Sequence, residues 1–380
     1  MAEKGKTPCI VGLQGKQTKA SPSYEVLSYD NLAEREKWRS LCQRFKDIDI
    51  FYYPEYAYLF QLKGDGQAKC FVYYESDEDV VIYPFLQRPI NELSIFHDLP
   101  DYLIDIVTPY GYGGYLQSSS RVDMEKFYAV FKQYCRENNI VSEFIRFHPL
   151  LENHAYCPFG VNIQQWNNTV VIDLTANEDI LWQAMTPTCR NKIRKARKHG
   201  INVALDTNCE RLTEFYNLYT TTMDRVKAQS YYYFSKSWYS NIVKLLSGKL
   251  ALFHAFQQAQ ILASGLFLFS NNYIHYFLSG SLYEMRYLAA NNLLLYNVAL
   301  WAKAKGLKYF YLGGGYQPND SLFRFKNSFA PLIKPFYIGT VIHDQEYYDY
   351  LAQRAPCLEY AANDIYFFPK YRKTSKTVLS

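Results

Sequence analysis

Residues 250–280 read LALFHAFQQAQILASGLFLFSNNYIHYFLSG, and the order of apolar and polar residues in this stretch decides the fold. Residues 250–257 and 261–269 are apolar, aromatic runs of strand length, and the short turn Gln258-Ala259-Gln260 between them completes the pattern of a β-hairpin. A third strand follows at 273–279. Residues 291–305 then change to helical spacing, Gly306 ends that helix as a C-terminal glycine does, and 309–312 returns to strand. The expected unit is a meandering, mainly antiparallel sheet completed by one helix–strand crossover.

The same order occurs upstream. A strand at 24–28 and helices at 32–45 and 55–62 precede a hairpin, 69–74 and 80–85, whose turn is Glu75-Ser76-Asp77-Glu78-Asp79. A strand at 103–108, a helix at 122–137 and a strand at 142–148 complete that unit. The second unit opens with a strand at 169–174 and helices at 179–199 and 211–227. Internal duplication constrains architecture more than any single motif, and 380 residues exceed what one core usually serves. The expected fold class is α/β with mixed sheets, in two tandem lobes, 24–168 and 169–343, with a cleft between them. Residues 1–23 read as a flexible lead-in. Residues 344–380 read as a helix, 351–360, interrupted by Pro356, and a solvated basic aromatic tail, 367–376.

Composition narrows the function. Hydrophobic residues make up 49% and charged residues 20%, a globular balance, and the formal charge of +5 is too mild to announce a nucleic-acid binder, so no DNA partner is expected. The 37 Tyr and 25 Phe supply packing and, in a cleft, rigid amphipathic walls. Cys9, Cys42, Cys70, Cys135, Cys157, Cys189, Cys209 and Cys357 form no Cys-x-x-Cys pair, and no His stands at metal-ligand spacing, so reduced thiols and no metal site are expected. There is no signal-peptide pattern, and the longest apolar runs fall short of the ~20 residues that cross a bilayer. A cytoplasmic location follows as the expectation, with peripheral membrane contact left open. A hydrolase finds no Gly-x-Ser-x-Gly elbow, and His254 and His275 lie on strands.

Four segments carry candidate chemistry. Ala289-Ala290-Asn291-Asn292 opens the long helix after a strand and a short loop containing Arg286, and free N–H groups at such a terminus suit a phosphate; Asn291 or Asn292 equally reads as an N-cap. Gly313-Gly314-Gly315 ends a strand, where α/β sheets tend to hold ligands, and Asp320, Phe325 and Lys326 follow; a cation there suits a developing oxyanion, while a sharp bend with Lys326 in water is the plain alternative. Residues 188–200 hold six Lys and Arg without an acid, with Arg190, Arg194 and Lys198 on one helical face and Ile193 and Ala196 turned to the core. That face suits diphosphate, tRNA backbone or anionic lipid, or is simply solvated. Pro109-Tyr110-Gly111-Tyr112-Gly113-Gly114 places two rings on a strand-end loop, and Tyr276 on the strand 273–279 joins Tyr110 and Tyr112 as a substrate-side candidate.

Together these segments resemble the FemABX-type peptidyltransferase branch of the GNAT N-acyltransferase superfamily, over nearly the whole chain outside both tails. The resemblance rests on the tyrosine-glycine loop 109–114, the basic helix 190–196, the Ala-Ala-Asn-Asn-Leu-Leu start at 289–294 and the block 313–329. It implies two GNAT-like lobes and transfer of an acyl or aminoacyl group onto an amine, without a covalent nucleophile. By the same resemblance Lys326, beside Phe325, stabilises the oxyanion and Asp320 accepts the amine's proton. Arg190, Arg194, Tyr276, Gly313, Gly314 and Phe325 are assigned to the substrate with Tyr110 and Tyr112, and Arg286, Ala290, Asn291 and Asn292 to the donor.

The family's acyl-CoA loop has Gln or Arg followed by spaced glycines, where this chain has Arg286 leading into Leu288-Ala289-Ala290-Asn291; the long helical-hairpin arm of tRNA-dependent members is also missing from the pattern. No tightly bound cofactor is expected, and the co-substrate is left as acyl-CoA or aminoacyl-tRNA, the latter with tRNA as a partner. The acceptor is expected to be an anionic small molecule or an amine of a cell-envelope or sugar-nucleotide precursor. Alternatives are an acyl-CoA-dependent N-acetyltransferase of a small amine and, from another class, a non-catalytic binder of RNA or anionic membrane.

Overall fold

The structure is a computed structural model describing residues 23–355 and 367–373. Its first half runs β1 (Ser23–Ser28), α1 (Leu32–Cys42), α2 (Pro54–Gln61), β2 (Gln67–Tyr74), β3 (Val80–Pro89), β4 (Ile104–Val107), β5 (Leu116–Gln117), α3 (Met124–Glu137) and β6 (Ile140–Arg146). The second runs β7 (Asn162–Asp173), α4 (Glu178–Ala184), α5 (Pro187–Lys198), β8 (Asn202–Asp206), α6 (Leu212–Arg225), α7 (Lys236–Leu245), β9 (Leu250–Gln257), β10 (Gln260–Ser270), β11 (Tyr273–Ser281), α8 (Ala290–Ala304), β12 (Tyr309–Gly313), α9 (Ser321–Asn327) and β13 (Leu332–Ile342). The helix α10 (Gln345–Arg354) comes last.

All strands join one mixed sheet, ordered β1-β2-β3-β4-β6-β13-β7-β12-β11-β10-β9-β8, with β5 on β3. Each half repeats one scheme: an antiparallel hairpin, β2–β3 or β9–β10, then a parallel pair joined by a helix, β4–α3–β6 or β11–α8–β12. Strand alternation sorts the side chains. Cys70, Val72, Val80 and Ile82 face an inner core, while Phe71, Tyr73, Val81 and Tyr83 face an outer one under Phe127 and Phe131 of α3. The inner core belongs to both halves, since Trp38, Tyr56 and Phe60 share it with Phe215, Trp238 and Ile242. On the outer face of the second half, Cys189, Ile193 and Ala196 of α5 pack with Leu293 and Leu294 of α8 and Phe323 of α9.

Several elements differ from expectation for local reasons. The helix expected over 179–199 is two helices, because Pro187 occupies the first turn of α5 and Thr186 caps it through Cys189 N. Neither Asn291 nor Asn292 caps α8; the cap is Ala289, in the left-handed conformation with φ +58°. The strands β8 and β13 and the helices α7 and α9 have no counterpart in the sequence reading. β13 is the closing strand: Ile338–Ile342 pairs with β6 while Leu332–Thr340 pairs with β7, so one sheet runs through both halves. Pro335 is tolerated because the pairing with β6 begins only at Ile338, leaving a neighbour on one side there.

The tail is also a correction. Residues 367–373 pack onto the fold with only Lys370 exposed: Tyr371 is 1% exposed with its hydroxyl 2.7 Å from Ser142 Oγ, and Arg372 pairs with Asp105, itself fully buried beside Arg88. A buried carboxylate draws the tail's charge inward. The expected helix 351–360 ends at Arg354; the remainder of it, Cys9, Cys357, 1–22 and 374–376 lie outside the described residues. Among the described residues no helix is long and apolar enough to cross a membrane.

Candidate functional site

The parallel pair β11–β12 opens like a wedge. Pairing runs only through Tyr273↔Tyr309, Ile274↔Phe310 and His275↔Tyr311, yet β11 continues to Ser281, while β12 stays on β7 through Gly313↔Val170. From Tyr276 onward the two strands therefore part. In the first half the equivalent gap is closed: Thr108 N donates to Phe144 O at 3.1 Å and Gly113 N to Arg146 O at 2.7 Å. The intervening loop, Pro109-Tyr110-Gly111-Tyr112, is pushed out against the second half. Tyr56 Oη holds the Tyr110 carbonyl at 2.5 Å, and Tyr52 Oη and Asn153 Nδ2 hold that of Gly113 at 2.9 and 2.7 Å. Gly111 sits at φ +99°, where an added Cβ would lie 2.6 Å from Phe51 Cε1, so only glycine fits this turn.

Lys326 projects from α9 into the wedge. It is 8% exposed, its Nζ donates to Gly314 O at 2.6 Å, and it lies 5.9 Å from the Tyr276 ring centre. Burial pushes its pKa down to about 8, against the opposing pull of Asp320. A Cβ on Gly313 would stand 3.4 Å from that Nζ and 3.9 Å from Tyr112 Oη, so the bare glycine leaves a gap that both polar groups flank. Gly313 also has φ +75°, and a Cβ on Gly314 would meet Asn168 O at 2.8 Å. Tyr112, Tyr276, Gly313, Gly314 and Lys326, which come from four separate elements, are thus brought together. Phe325 instead packs outward against Phe329, 5.4 Å between ring centres. Tyr110 lies in the seam between the halves among Phe60, Tyr231, Tyr232 and Phe277.

Other expected residues are occupied elsewhere. The Asp320 carboxylate accepts from Phe323 N and Tyr316 N at 2.7 Å each and from Gln317 N at 3.0 Å. Burial alone would raise its pKa, but these N–H donors win and lower it. A carboxylate so held is a poor proton acceptor; its work is to cap α9 and tie down the glycine loop, which corrects the expected role of base. Arg190 is likewise not directed at an anion, since its Nη1 donates to the carbonyls of Gln183, at 3.0 Å, and Met185, finishing α4. Arg194 binds Asn191 Oδ1 at 2.9 Å and stands over Trp182.

Where the sequence placed its donor candidates, α8 begins without a side-chain cap and without an acid in its first turn, whereas the matching helix α3 is capped by Asp123 with Glu125 beside it. Asn292 turns inward to Cys189 Sγ at 3.6 Å, the buried Oδ1 of Asn291 has no hydrogen-bond partner among the described residues, and Arg286 is exposed against Tyr283. Ala290 is 6% exposed at the helix start. Thr186 N donates to Ser328 O at 2.9 Å, which sets the start of α5 beside the end of α9.

Sequence reasoning missed a buried junction behind the wedge. Asp49 Oδ2 lies 2.8 Å from His148 Nε2 and 2.6 Å from His275 Nε2, and Oδ1 accepts from Ser270 Oγ at 2.9 Å and Ile50 N at 2.6 Å. Burial would raise the carboxyl, but His275 and His148 hold it well below the usual range, while burial pushes His148 down despite Asp49. The three ligand atoms cluster as a metal site would. However, His148 Nδ1 accepts from Leu150 N and Leu151 N at 3.2 and 3.1 Å, which leaves the ring proton on Nε2, donated to Asp49. The trio is therefore a hydrogen-bonded joint between the halves, and no local motif marks it because its members lie on three separate segments.

With this geometry in view, residues 185–327, which hold α5, β9 to β12 and α9, match the model of the acetyltransferase (GNAT) domain. The fold is similar to that of FemX, at 16% identity and TM-score 0.63, over 83% of this chain and 98% of that one. L-PGS from Bacillus licheniformis is similar at 12% identity and TM-score 0.52, over 83% and 94%. A conserved protein of unknown function from Bacteroides thetaiotaomicron VPI-5482 is similar at 12% identity and TM-score 0.51, over 82% and 97%. These likenesses are of fold. No curated protein sequence matches the chain.

Proposed function

We propose that the chain is an N-acyltransferase that joins an activated acyl group to an amine of an anionic cell-envelope or sugar-nucleotide precursor. The observation that carries this reading is the Lys326 ammonium, buried in the open β11–β12 wedge with Tyr112 Oη flanking the same bare glycine. In this reading the donor carbonyl enters the wedge. The amine nitrogen attacks it from the seam, a C–N bond forms, and the C–S or C–O bond to the donor breaks as the leaving group takes a proton. Lys326 and Tyr112 donate to the oxygen that gains charge between these events, and low local polarity strengthens both bonds. Asp320 keeps the loop in place, and the amine's proton leaves to solvent.

Acyl-CoA is the favoured donor. GNAT folds usually use it as co-substrate, and the uncapped, acid-free start of α8 suits a pyrophosphate even though Ala289, not a glycine, makes its left-handed turn. Aminoacyl-tRNA is the second reading, favoured by the exposed Lys192, Lys195 and Lys198 on α5. The test is label transfer from an acyl-CoA panel and from charged tRNA onto amine-bearing envelope precursors. Transfer from CoA that Lys326→Met lowers 10²–10³-fold, with CoA binding unchanged, supports the reading; transfer from neither donor, or an undiminished variant, rejects it.

A further inference from the structure

Tyr128, Lys132 and Arg136 follow one another at i, i+4 and i+8, so they share one side of α3. Together with Gly160, before β7, and His343, just past β13, they line a recess of about 170 Å³ on the outer face of the first half. Lys326 lies before the opposite end of β13, a strand that spans roughly 30 Å, so the recess is separate from the wedge. Lys132 Nζ stands 4.9 Å over the Tyr128 ring. Tyr128 itself is 1% exposed, and its Oη is buried without a hydrogen-bond partner among the described residues. A Cβ on Gly160 would lie 3.8 Å from Tyr128 Cε1, the carbon next to the one that bears the hydroxyl. The hydroxyl end of the ring therefore meets the recess where the bare glycine leaves it open.

The polar groups of this recess lack an acid. His343 Nε2 lies 3.0 Å from Glu143 Oε2, and the fully buried Glu143 also accepts from Tyr115 Oη at 2.7 Å. A carboxylate only accepts, so Nε2 carries its proton to Glu143, and Nδ1 is the nitrogen without a protein partner among the described residues. The Lys132 ammonium and the Arg136 guanidinium likewise make no hydrogen bond and no ion pair there. The acids of α3 are engaged elsewhere: Glu125 accepts from Phe159 N at 3.0 Å and Glu137 from Gln133 Nε2 at 2.8 Å. Two unmatched cations, a buried hydroxyl and an imidazole nitrogen thus face one space that no carboxylate lines, and a sealed hydroxyl calls for a partner. The volume lies below the roughly 300–1,000 Å³ of pockets for larger organic ligands, which points to a small ion or the end of a group.

We propose that the recess between α3 and the end of β13 binds phosphate, free or as the terminal group of a monoester. Lys132 supplies a point charge, and the Arg136 fork takes two phosphate oxygens. Tyr128 Oη donates to a third. Phosphate can also carry a hydroxyl of its own, so it meets His343 in either state of the ring: Nδ1 accepts from that hydroxyl when neutral and donates when charged. A halide offers no such match. The bound ion ties a helix of the first half to the strand that pairs with both β6 and β7. The site shares no residue with the wedge and stands apart from the acyl-transfer reading.

The test is calorimetry and thermal melting of the full chain with inorganic phosphate and with glycerol 3-phosphate, at an ionic strength held constant with sodium chloride. Wild type is expected to bind phosphate saturably and to melt at a higher temperature when it is bound. Arg136→Gln is expected to weaken binding at least tenfold. Tyr128→Phe, which keeps the ring and removes the hydroxyl, weakens it severalfold. Lys244→Gln, at an exposed cation of α7, leaves it unchanged. Binding of both ligands shows a site open to a monoester, and binding of inorganic phosphate alone shows a site for the free ion; either supports the inference. If Arg136→Gln melts early in phosphate-free buffer, Lys132→Gln serves for the same comparison. Saturable binding of neither ligand, binding that survives Arg136→Gln or its Lys132→Gln substitute, or an equal loss in Lys244→Gln overturns the inference.

Discussion

Replacing Lys326 by Met separates a functional lysine from a structural one, because the two readings predict opposite changes in stability. In the fold the ammonium is buried and its pKa falls from 10.5 to about 8. At ~1.4 kcal/mol per unit this is roughly 3 kcal/mol against the charged form. The compensating bond to Gly314 O is worth about 1 kcal/mol net. Methionine fills a similar volume without charge, so Lys326→Met is expected to be more stable than wild type by about 2 kcal/mol at pH 7. The difference shrinks as pH rises through a defined window. The unfolded chain keeps this proton up to 10.5 and the folded one releases it near 8, so between those values the unfolded state binds more protons. Wild-type stability therefore gains on the variant as pH rises from 8 to 10.5, and the gap closes. Urea denaturation followed by circular dichroism from pH 6 to 10.5 measures it. Activity moves the other way: the wild-type-to-variant ratio of transfer rates is 10²–10³ at pH 7 and falls above pH 8, since the ammonium is the active form. A variant that is less stable than wild type at pH 7, a gap independent of pH, or transfer within about tenfold of wild type would each refute the reasoning.

Three further outcomes probe the scaffold. Asp320→Ala removes the acceptor of three N–H bonds and is expected to cost about 1–2 kcal/mol in urea, with Asp320→Asn milder. Because the Asp320 pKa is lowered below 3.8, that contribution is complete above pH 3.8 and is lost as pH falls through the folded value; a base role predicts instead that Asn is as inactive as Ala. Gly111→Ala combines φ +99° with a contact 2.6 Å from Phe51 and is expected to lose about 2–3 kcal/mol; an unchanged denaturation midpoint shows that the loop is free to move. Asp49→Asn disturbs four hydrogen bonds joining the halves and is expected to cost about 3–5 kcal/mol, whereas a loss below about 1 kcal/mol denies the joint any weight.

Much of the second half was legible. The hairpin β9–β10, the strand β11 and the helix α8 follow from alternation, helical spacing and Gly306, because each is a local pattern on a half-buried surface. The central strand β13 was not. Leu332–Ile342 contains Pro335 and Gly339 and alternates poorly, since its two sides meet different neighbours along its length. The basic helix shows the opposite failure: Ile193 and Ala196 face the core as their spacing implies, yet Arg190 caps α4 because Pro187 breaks the helix just before it.

The sequence by itself determined the repeated order of elements, the apolar faces that close three cores, and the glycines at 111 and 313, because those depend on contacts within a few residues or on backbone conformation. Only the tertiary structure decided which polar groups meet. Lys326, Tyr112 and Gly313 converge, Asp49 joins two histidines and Arg372 gains a buried acid. Each depends on segments distant in sequence approaching within a few ångströms, and side-chain chemistry acts over that distance and not along the chain.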